Sequence, residues 1–181
     1  MVNNFANSQT YQNLLSALNF ELTTSGRYNL DATRARRDGY QQIGNIFETT
    51  SRNEQEHANI FMRFILQGES PNTLANLEAA ATQENYVGTD LYNQYADTAR
   101  SEGYTDIANM FEGIAAIERH HYFRFNQLAQ NIENNQVFCK PNSTVWVCMV
   151  CGNLVWDDCA PEICPICGYP QGYYKINCED Y

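Results

Sequence analysis

The chain has 181 residues, 44% of them hydrophobic, with 21 acidic against 11 basic side chains and a net charge of −10. That length suits one ordinary domain plus a small module. The charge excludes nucleic acid and anionic membrane as main partners, and no apolar run approaches the ~20 residues of a membrane span. No charged segment followed by an apolar run opens the sequence, so no secretory signal is expected.

Residues 1–10 are polar. From about Tyr11 to Arg37 a helix is predicted, with Leu14, Leu18, Glu21, Ser25, Tyr28 and Ala32 on one stripe at spacings of three and four. Asp38-Gly39 marks its end. A second helix, about Tyr40 to Leu66, turns Ile43, Phe47, Thr50, Glu54, His57, Phe61 and Phe64 inward, and Gly68 to Asn72 breaks it. A third, about Thr73 to Arg100, has Leu77, Ala80, Glu84, Val87 and Leu91 inward. A fourth, about Thr105 to Ile132, has Ile107, Phe111, Ile114, Glu118, His121, Phe125 and Leu128 inward. Each helix thus carries a glutamate in the middle of an apolar stripe, where an unpaired carboxylate is costly.

Two of these glutamates open Glu-x-x-His motifs, Glu54 with His57 and Glu118 with His121. Residues three apart share a helix face, so carboxylate and imidazole can close on one metal ion. One such motif is weak evidence. Here all three histidines of the chain lie in the two motifs, and the motifs sit in an internal repeat. Gly39-Tyr40, Ile43 and Ile46-Phe47-Glu48 precede Glu54 by the offsets at which Gly103-Tyr104, Ile107 and Met110-Phe111-Glu112 precede Glu118. Glu21 stands 33 positions before Glu54, and Glu84 stands 34 before Glu118. Two helices with Glu-x-x-His and two with one inward Glu are the ligand set of a di-iron or di-manganese carboxylate site in a four-helix bundle.

After Asn135 the helical period stops and β-type runs follow, Val145-Trp146-Val147 and Leu154-Val155-Trp156. The predicted organisation is a bundle over 1–135, a linker over 136–143 and a β-rich module over 144–181. The module holds Cys148-x-x-Cys151 and Cys164-x-x-Cys167, two knuckles that bind iron or zinc through four thiolates. All seven cysteines lie after position 138. Their clustering in metal-type pairs predicts a reducing compartment, the cytoplasm. Cys139, Cys159 and Cys178 fall outside the pairs and are expected to be free thiols.

Taken together, these pieces resemble the rubrerythrin family over nearly the whole chain. The resemblance rests on Glu21 with Tyr28, Asn53 to Ala58 around Glu54 and His57, Glu84-Asn85-Tyr86 with Tyr92, Glu118-Arg119-His120-His121, and the closing Cys-Pro-x-Cys-Gly at Cys164 to Gly168. It implies an all-α, ferritin-like four-helix bundle followed by a rubredoxin-like module. It implies a non-haem di-iron peroxidase that reduces hydrogen peroxide in oxidative-stress defence. Glu21 and Glu84 match terminal carboxylates, Glu54 and Glu118 the bridging pair, His57 and His121 the imidazole ligands, and Tyr28 and Tyr92 tyrosines that hydrogen-bond ligand carboxylates. Cys148, Cys151, Cys164 and Cys167 match the ligands of an electron-transfer iron, fed by an external donor such as rubredoxin or an NAD(P)H-dependent reductase.

The chain departs from the family pattern at Val87, where family members usually carry a further Glu that binds iron in the oxidised state. That departure favours iron oxidation and handling as the alternative activity, and a non-enzymatic electron carrier is the third. The loop between the second and third helices also bears on assembly. Five residues span at most about 18 Å, too short to return the chain along the bundle if the two hairpins are related by a twofold axis. A homodimer that exchanges helices three and four is therefore expected, unless residues 58–67 unwind.

Overall fold

The computed structural model describes residues 4–68 and 70–179. The chain divides into two compact units, Met1–Ser70 and Pro71–Tyr181.

The first unit is a helical hairpin of α1 (Gln9–Arg37) and α2 (Gln41–Ile65). Ser8 caps α1 by accepting the Tyr11 amide at 3.1 Å. Arg34, Arg36 and Arg37 crowd its last turn, where the helix dipole favours cations. Gly39, at φ +90°, makes the reversal. The helices meet along a seam with a seven-residue step, Leu18, Ser25 and Ala32 on α1 with Gly44, Ser51 and Ala58 on α2, all buried. Small residues let the backbones approach. At Gly44 a Cβ would stand 2.8 Å from the Arg36 Cγ and 3.2 Å from the Ala32 carbonyl.

Three residues expected inward on α2 are not covered, His57 and two apolar ones. Ile43 is 46% and Phe64 63% exposed. A two-helix hairpin closes only along its narrow seam, so the flanking parts of each wider apolar stripe stay open. α2 runs unbroken through Ile65, which removes the alternative in which residues 58–67 unwind.

The second unit begins with α3 (Thr73–Tyr86), capped by the Asn72 side chain, which accepts the Ala75 amide at 2.9 Å. The single helix predicted over 73–100 is interrupted. A π-helical turn covers Val87–Leu91, and α4 (Tyr92–Ser101) follows. The Tyr92 amide reaches back five residues to the Val87 carbonyl. The cause is one extra residue. The buried seam here is Ala81, Gly88 and Ala96, stepping by seven and then eight, where the first hairpin steps by seven twice. A π turn absorbs one inserted residue and returns the helix to the same face. The helix α5 (Thr105–Glu133) supplies Ala108, Ala115 and Ala129 to the seam. Ile107 and Leu128, expected inward, are 45% and 44% exposed, for the reason that applies to α2.

The unit closes with a three-stranded antiparallel sheet in the order β2-β1-β3, made of β1 (Cys139–Cys148), β2 (Leu154–Cys159) and β3 (Tyr174–Ile176). Its core is Trp146, Cys148, Ala160, Cys164 and Tyr174. Strand β1 takes in residues 139–143, which the sequence places in a linker. That pairing corrects a second expectation. Cys139 stands opposite Cys159 in the antiparallel register, and the two form a disulfide. The sequence reading leaves them free because it starts the strand at Val145 and never sets the two cysteines across from one another. Cys178 is free and exposed.

Candidate metal centres

Three clusters of metal-type side chains form among the described residues: Cys148, Cys151, Cys164 and Cys167; Glu21, Glu54 and His57; Glu84, Glu118 and His121. Within each cluster the ligand atoms lie within 4.8 Å of one another. Each carboxylate set belongs to one hairpin.

In the four-sulfur cluster, Cys148 and Cys167 sulfurs are 3.7 Å apart, as are those of Cys151 and Cys164. A metal–sulfur bond of about 2.3 Å in a tetrahedron gives edges of roughly 3.75 Å, so these sulfurs fit an ion at their centre. The two knuckles end on Gly152 and Gly168, both at positive φ. The Val150 and Cys151 amides donate to the Cys148 sulfur and the Ile166 and Cys167 amides to the Cys164 sulfur, while the Gly152 and Gly168 N–H groups close each turn on the Cys148 and Cys164 carbonyls at 2.9 Å. The Tyr174 hydroxyl beside Cys164 favours its thiolate most. Against the opposing effect of burial, it and the Cys167 and Ile166 amides bring that thiol down to about 6. At Cys167 the Tyr169 amide pulls the other way, but burial and the three neighbouring sulfurs push that thiol up to about 12. Four thiols so divided share protons that one cation replaces.

In the first carboxylate set, His57 Nδ1 lies 2.8 Å from Glu54 Oε2 and 3.8 Å from Glu21 Oε2. In the second, His121 Nδ1 lies 2.7 Å from Glu118 Oε2 and 3.6 Å from Glu84 Oε2. Metal–ligand bonds of about 2.0–2.2 Å put neighbouring donors roughly 3 Å apart, the middle of that range. Burial, then the Glu54 carboxylate, hold the Glu21 carboxyl above its ordinary value. The Glu118 carboxylate, then burial, hold Glu84 above its own, and the same contact lowers Glu118. In each hairpin the lone glutamate is therefore harder to ionise than usual, at a place where a cation fits.

The sets are open on one side. Glu54 and Glu118 side chains are 17% and 19% exposed, whereas His57 is 52% and His121 34% exposed. Three donors leave a transition ion short of its full coordination. Tyr28 packs on Phe47 and Tyr92 on Phe111, at ring separations of 5.8 and 5.6 Å. Among the described residues neither tyrosine hydroxyl makes a hydrogen bond.

The rubrerythrin family model matches residues 12–129 and again 75–150. The overlapping matches are what a duplicated hairpin produces. A second model, the rubredoxin-like domain of rubrerythrin, matches residues 146–175. This chain belongs to the rubrerythrin family. It is 39% identical to Rubrerythrin-1 of Clostridium acetobutylicum, over 96% of this chain and 97% of the relative. It is 36% identical to Rubrerythrin of Nitratidesulfovibrio vulgaris, over 93% of this chain and 94% of the relative. The solved structure "Partially Reduced State of Nigerythrin" aligns at 23% identity and a TM-score of 0.36, covering 98% of this chain and 91% of that one. The family's cofactors are a di-iron centre and a rubredoxin-type iron, and the chemistry of the three ligand sets fits both. The fold is accordingly all-α and ferritin-like with a small β module. No helix among the described residues is long and apolar enough to cross a membrane.

Two features near these sites escape the sequence reading. One is the π turn three residues after Glu84, although the 33- and 34-residue spacings carry its signature. The other is Tyr174, whose hydroxyl contacts Cys164 and accepts from the Asn153 amide at 3.2 Å. No short motif flags a tyrosine seven residues beyond the last knuckle.

Proposed function

We propose that this chain is a peroxidase that reduces hydrogen peroxide, H2O2 + 2e⁻ + 2H⁺ → 2H2O. The observation that carries the reading is the presence, in one chain, of two Glu, Glu, His sets with open positions and a four-sulfur set of tetrahedral dimensions. Loaded with iron, the carboxylate sets would supply two reducing equivalents side by side, matching the two electrons that cleave an O–O bond. Glu21, Glu54 and His57 would hold one ion, and Glu84, Glu118 and His121 the other, with Glu54 and Glu118 bridging. Tyr28 and Tyr92, whose hydroxyls make no hydrogen bond among the described residues, would donate to ligand carboxylates and orient them. Cys148, Cys151, Cys164 and Cys167 would hold the iron that passes electrons in singly from a rubredoxin or an NAD(P)H-dependent reductase. The four-thiolate set suits a reducing compartment, the cytoplasm, where the Cys139–Cys159 bond would be an exception.

The working unit in this reading is a helix-exchanged homodimer. From His57 to the end of α2 is eight residues and from the start of α3 to Glu84 is eleven, about 28 Å in all at 1.5 Å per residue. Between them, Leu66, Gln67 and Gly68 fold into a hydrogen-bonded turn on the end of α2, the Gly68 amide reaching the Arg63 carbonyl at 3.0 Å. Only residues 69–72 remain, and four residues reach about 14 Å at most. Such a link does not return the chain along one bundle with the ligands twofold-related. Each centre then takes Glu21, Glu54 and His57 from one chain and Glu84, Glu118 and His121 from another.

Stopped-flow absorption of the fully reduced, iron-loaded protein tests the activity. Peroxide without oxygen restores the iron–thiolate colour, one molecule per two electrons. Recovery with oxygen but not with peroxide contradicts the reading. The half-buried Val87, next to the Glu84 set, favours iron oxidation as the second reading. Oxidation of many added Fe(II) per chain, with the iron retained, would support it.

A further inference from the structure

The two metal sets are not equivalent, and the difference lies in how each hairpin pins its ligands. In the second hairpin Gly88 is buried one turn past Glu84, inside the π turn. A Cβ there would lie 2.9 Å from the Arg119 amide nitrogen and 3.0 Å from the Ala115 carbonyl. Backbone meets backbone at this point. A π turn widens the helix and weakens its hydrogen-bond ladder. Around it, three carbonyls take side-chain donors: Asn85 from Thr89 at 2.7 Å, Thr89 from Asn93 at 2.7 Å, and Gly88 from Arg119 Nη1 at 2.8 Å. The first two donors belong to the same helical run. Arg119 alone comes from another helix, and it adjoins Glu118. The counterpart of Arg119 in the first hairpin, 64 positions earlier, is Gln55, which makes no such bond among the described residues.

We propose that Arg119 is a positioning residue of the Glu84, Glu118 and His121 set. By bonding the Gly88 carbonyl it ties the π turn to α5 and fixes the helical register at which Glu84 faces Glu118 and His121. Without it, a turn that already carries one extra residue is free to pass that residue along the helix, which rotates Glu84 away. The Glu21, Glu54 and His57 set lacks both the inserted residue and the arginine, and does not depend on it. The inference rests on the reading that these two sets hold metal.

Proton NMR of the full-length protein loaded with Co(II) supplies the test. Each bound imidazole presents its ring N–H as a strongly shifted, exchangeable resonance, assigned with His57→Gln and His121→Gln. In Arg119→Met the His121 resonance moves or disappears and the affinity of that set for Co(II) falls ~10–100-fold, the usual cost of losing an outer partner. The His57 resonance stays, and Arg119→Lys, which keeps one donor, recovers most of the loss. Should Arg119→Met not fold, Arg119→Gln removes the guanidinium and is read in the same way. A merely structural arginine would lower the melting temperature and leave both resonances in place, and that result overturns the proposal. So does equal weakening of both sets. Glu84→Ala separates the two levels. If it leaves the His121 resonance untouched, the metal assignment itself is wrong and the proposal falls with it. If it removes that resonance while Arg119→Met does not, only the positioning role is lost.

Discussion

The Ser25 hydroxyl donates to the Ser51 carbonyl at 2.9 Å, and the Ser51 hydroxyl donates to the Ser25 carbonyl at 2.8 Å. This reciprocal pair crosses from α1 to α2 one turn beyond Glu21 and one turn before Glu54. In the second hairpin the corresponding positions are Gly88 and Ala115, and the backbones touch directly. The same helix contact is thus held by two hydroxyls in one half and by close approach plus an arginine in the other.

Ser51→Ala removes one of the two crossing bonds and leaves the other in place. A buried neutral hydrogen bond contributes about 1 kcal/mol net. Chemical denaturation of the metal-free protein should show a loss of that size, with helix content unchanged. No measurable loss would mean that the hydroxyls are incidental to the contact.

Gly88→Ala has no room for its methyl group, since two of the three nearest atoms are backbone atoms of α5 and the third is the Arg119 Cγ. Overpacking of this kind costs roughly 1–3 kcal/mol. The thermal midpoint should fall and Co(II) bound at the Glu84, Glu118 and His121 set should decrease. An unchanged midpoint would show that the helices separate there at little cost.

Much of this was legible in the sequence, and the reason is chemical. Histidine is scarce in the chain, and three histidines inside two Glu-x-x-His motifs at matched repeat offsets leave few alternatives to a paired metal site. The four knuckle cysteines were equally plain, because their spacing is set by the turn that presents two sulfurs to one ion. The π turn was not read, although Glu84 stands one residue too far from Glu118. Spacing along a helix is tolerant by one residue until a third point, here Gly88 against Ala115, fixes the face. The Cys139–Cys159 bond was not read because register pairs them, and register depends on strand ends that carry no local signal. Ile43, Phe64, Ile107 and Leu128 show a further limit. A stripe marks what a helix can bury, and a hairpin buries only its middle.

The raised Glu21 and Glu84 carboxyls make metal uptake pH-dependent. Both sit above the ordinary value of 4.5 in the folded, metal-free protein. A raised carboxyl contributes stability that is fully present below 4.5 and lost as pH rises through its folded value. Glu118, lowered, acts in the opposite sense, and its contribution is lost as pH falls below 4.5. At a pH where Glu21 and Glu84 are protonated, a metal ion must displace those protons. Affinity for Co(II) should therefore rise with pH just above 4.5, with proton release measurable by calorimetry in buffers of differing ionisation heat. Binding without proton release in that window would contradict the raised carboxyls.

The Cys139–Cys159 bond closes a loop with a sequence separation of 20, which contains the first knuckle. A cross-link over a loop of this length contributes about 2–4 kcal/mol. Cys159→Ser should destabilise the iron-free module by that amount, and iron binding should mask most of the difference, because the ion ties the end of β1, through Cys148, to the segment that follows β2, through Cys164 and Cys167. Alkylation under denaturing, non-reducing conditions should modify five of the seven cysteines. Seven modified cysteines would show that the bond is absent from the isolated protein.

The account turns on two half-sets from different chains making one centre. Chains carrying Glu54→Ala and chains carrying Glu118→Ala, each inactive alone, are mixed, unfolded, refolded together with iron, and assayed for peroxide reduction. In an exchanged heterodimer one centre carries both lesions and the other carries none, so activity returns in the mixture. If the refolded mixture stays as inactive as its parents, the ligands of each centre come from a single chain and the exchange is wrong.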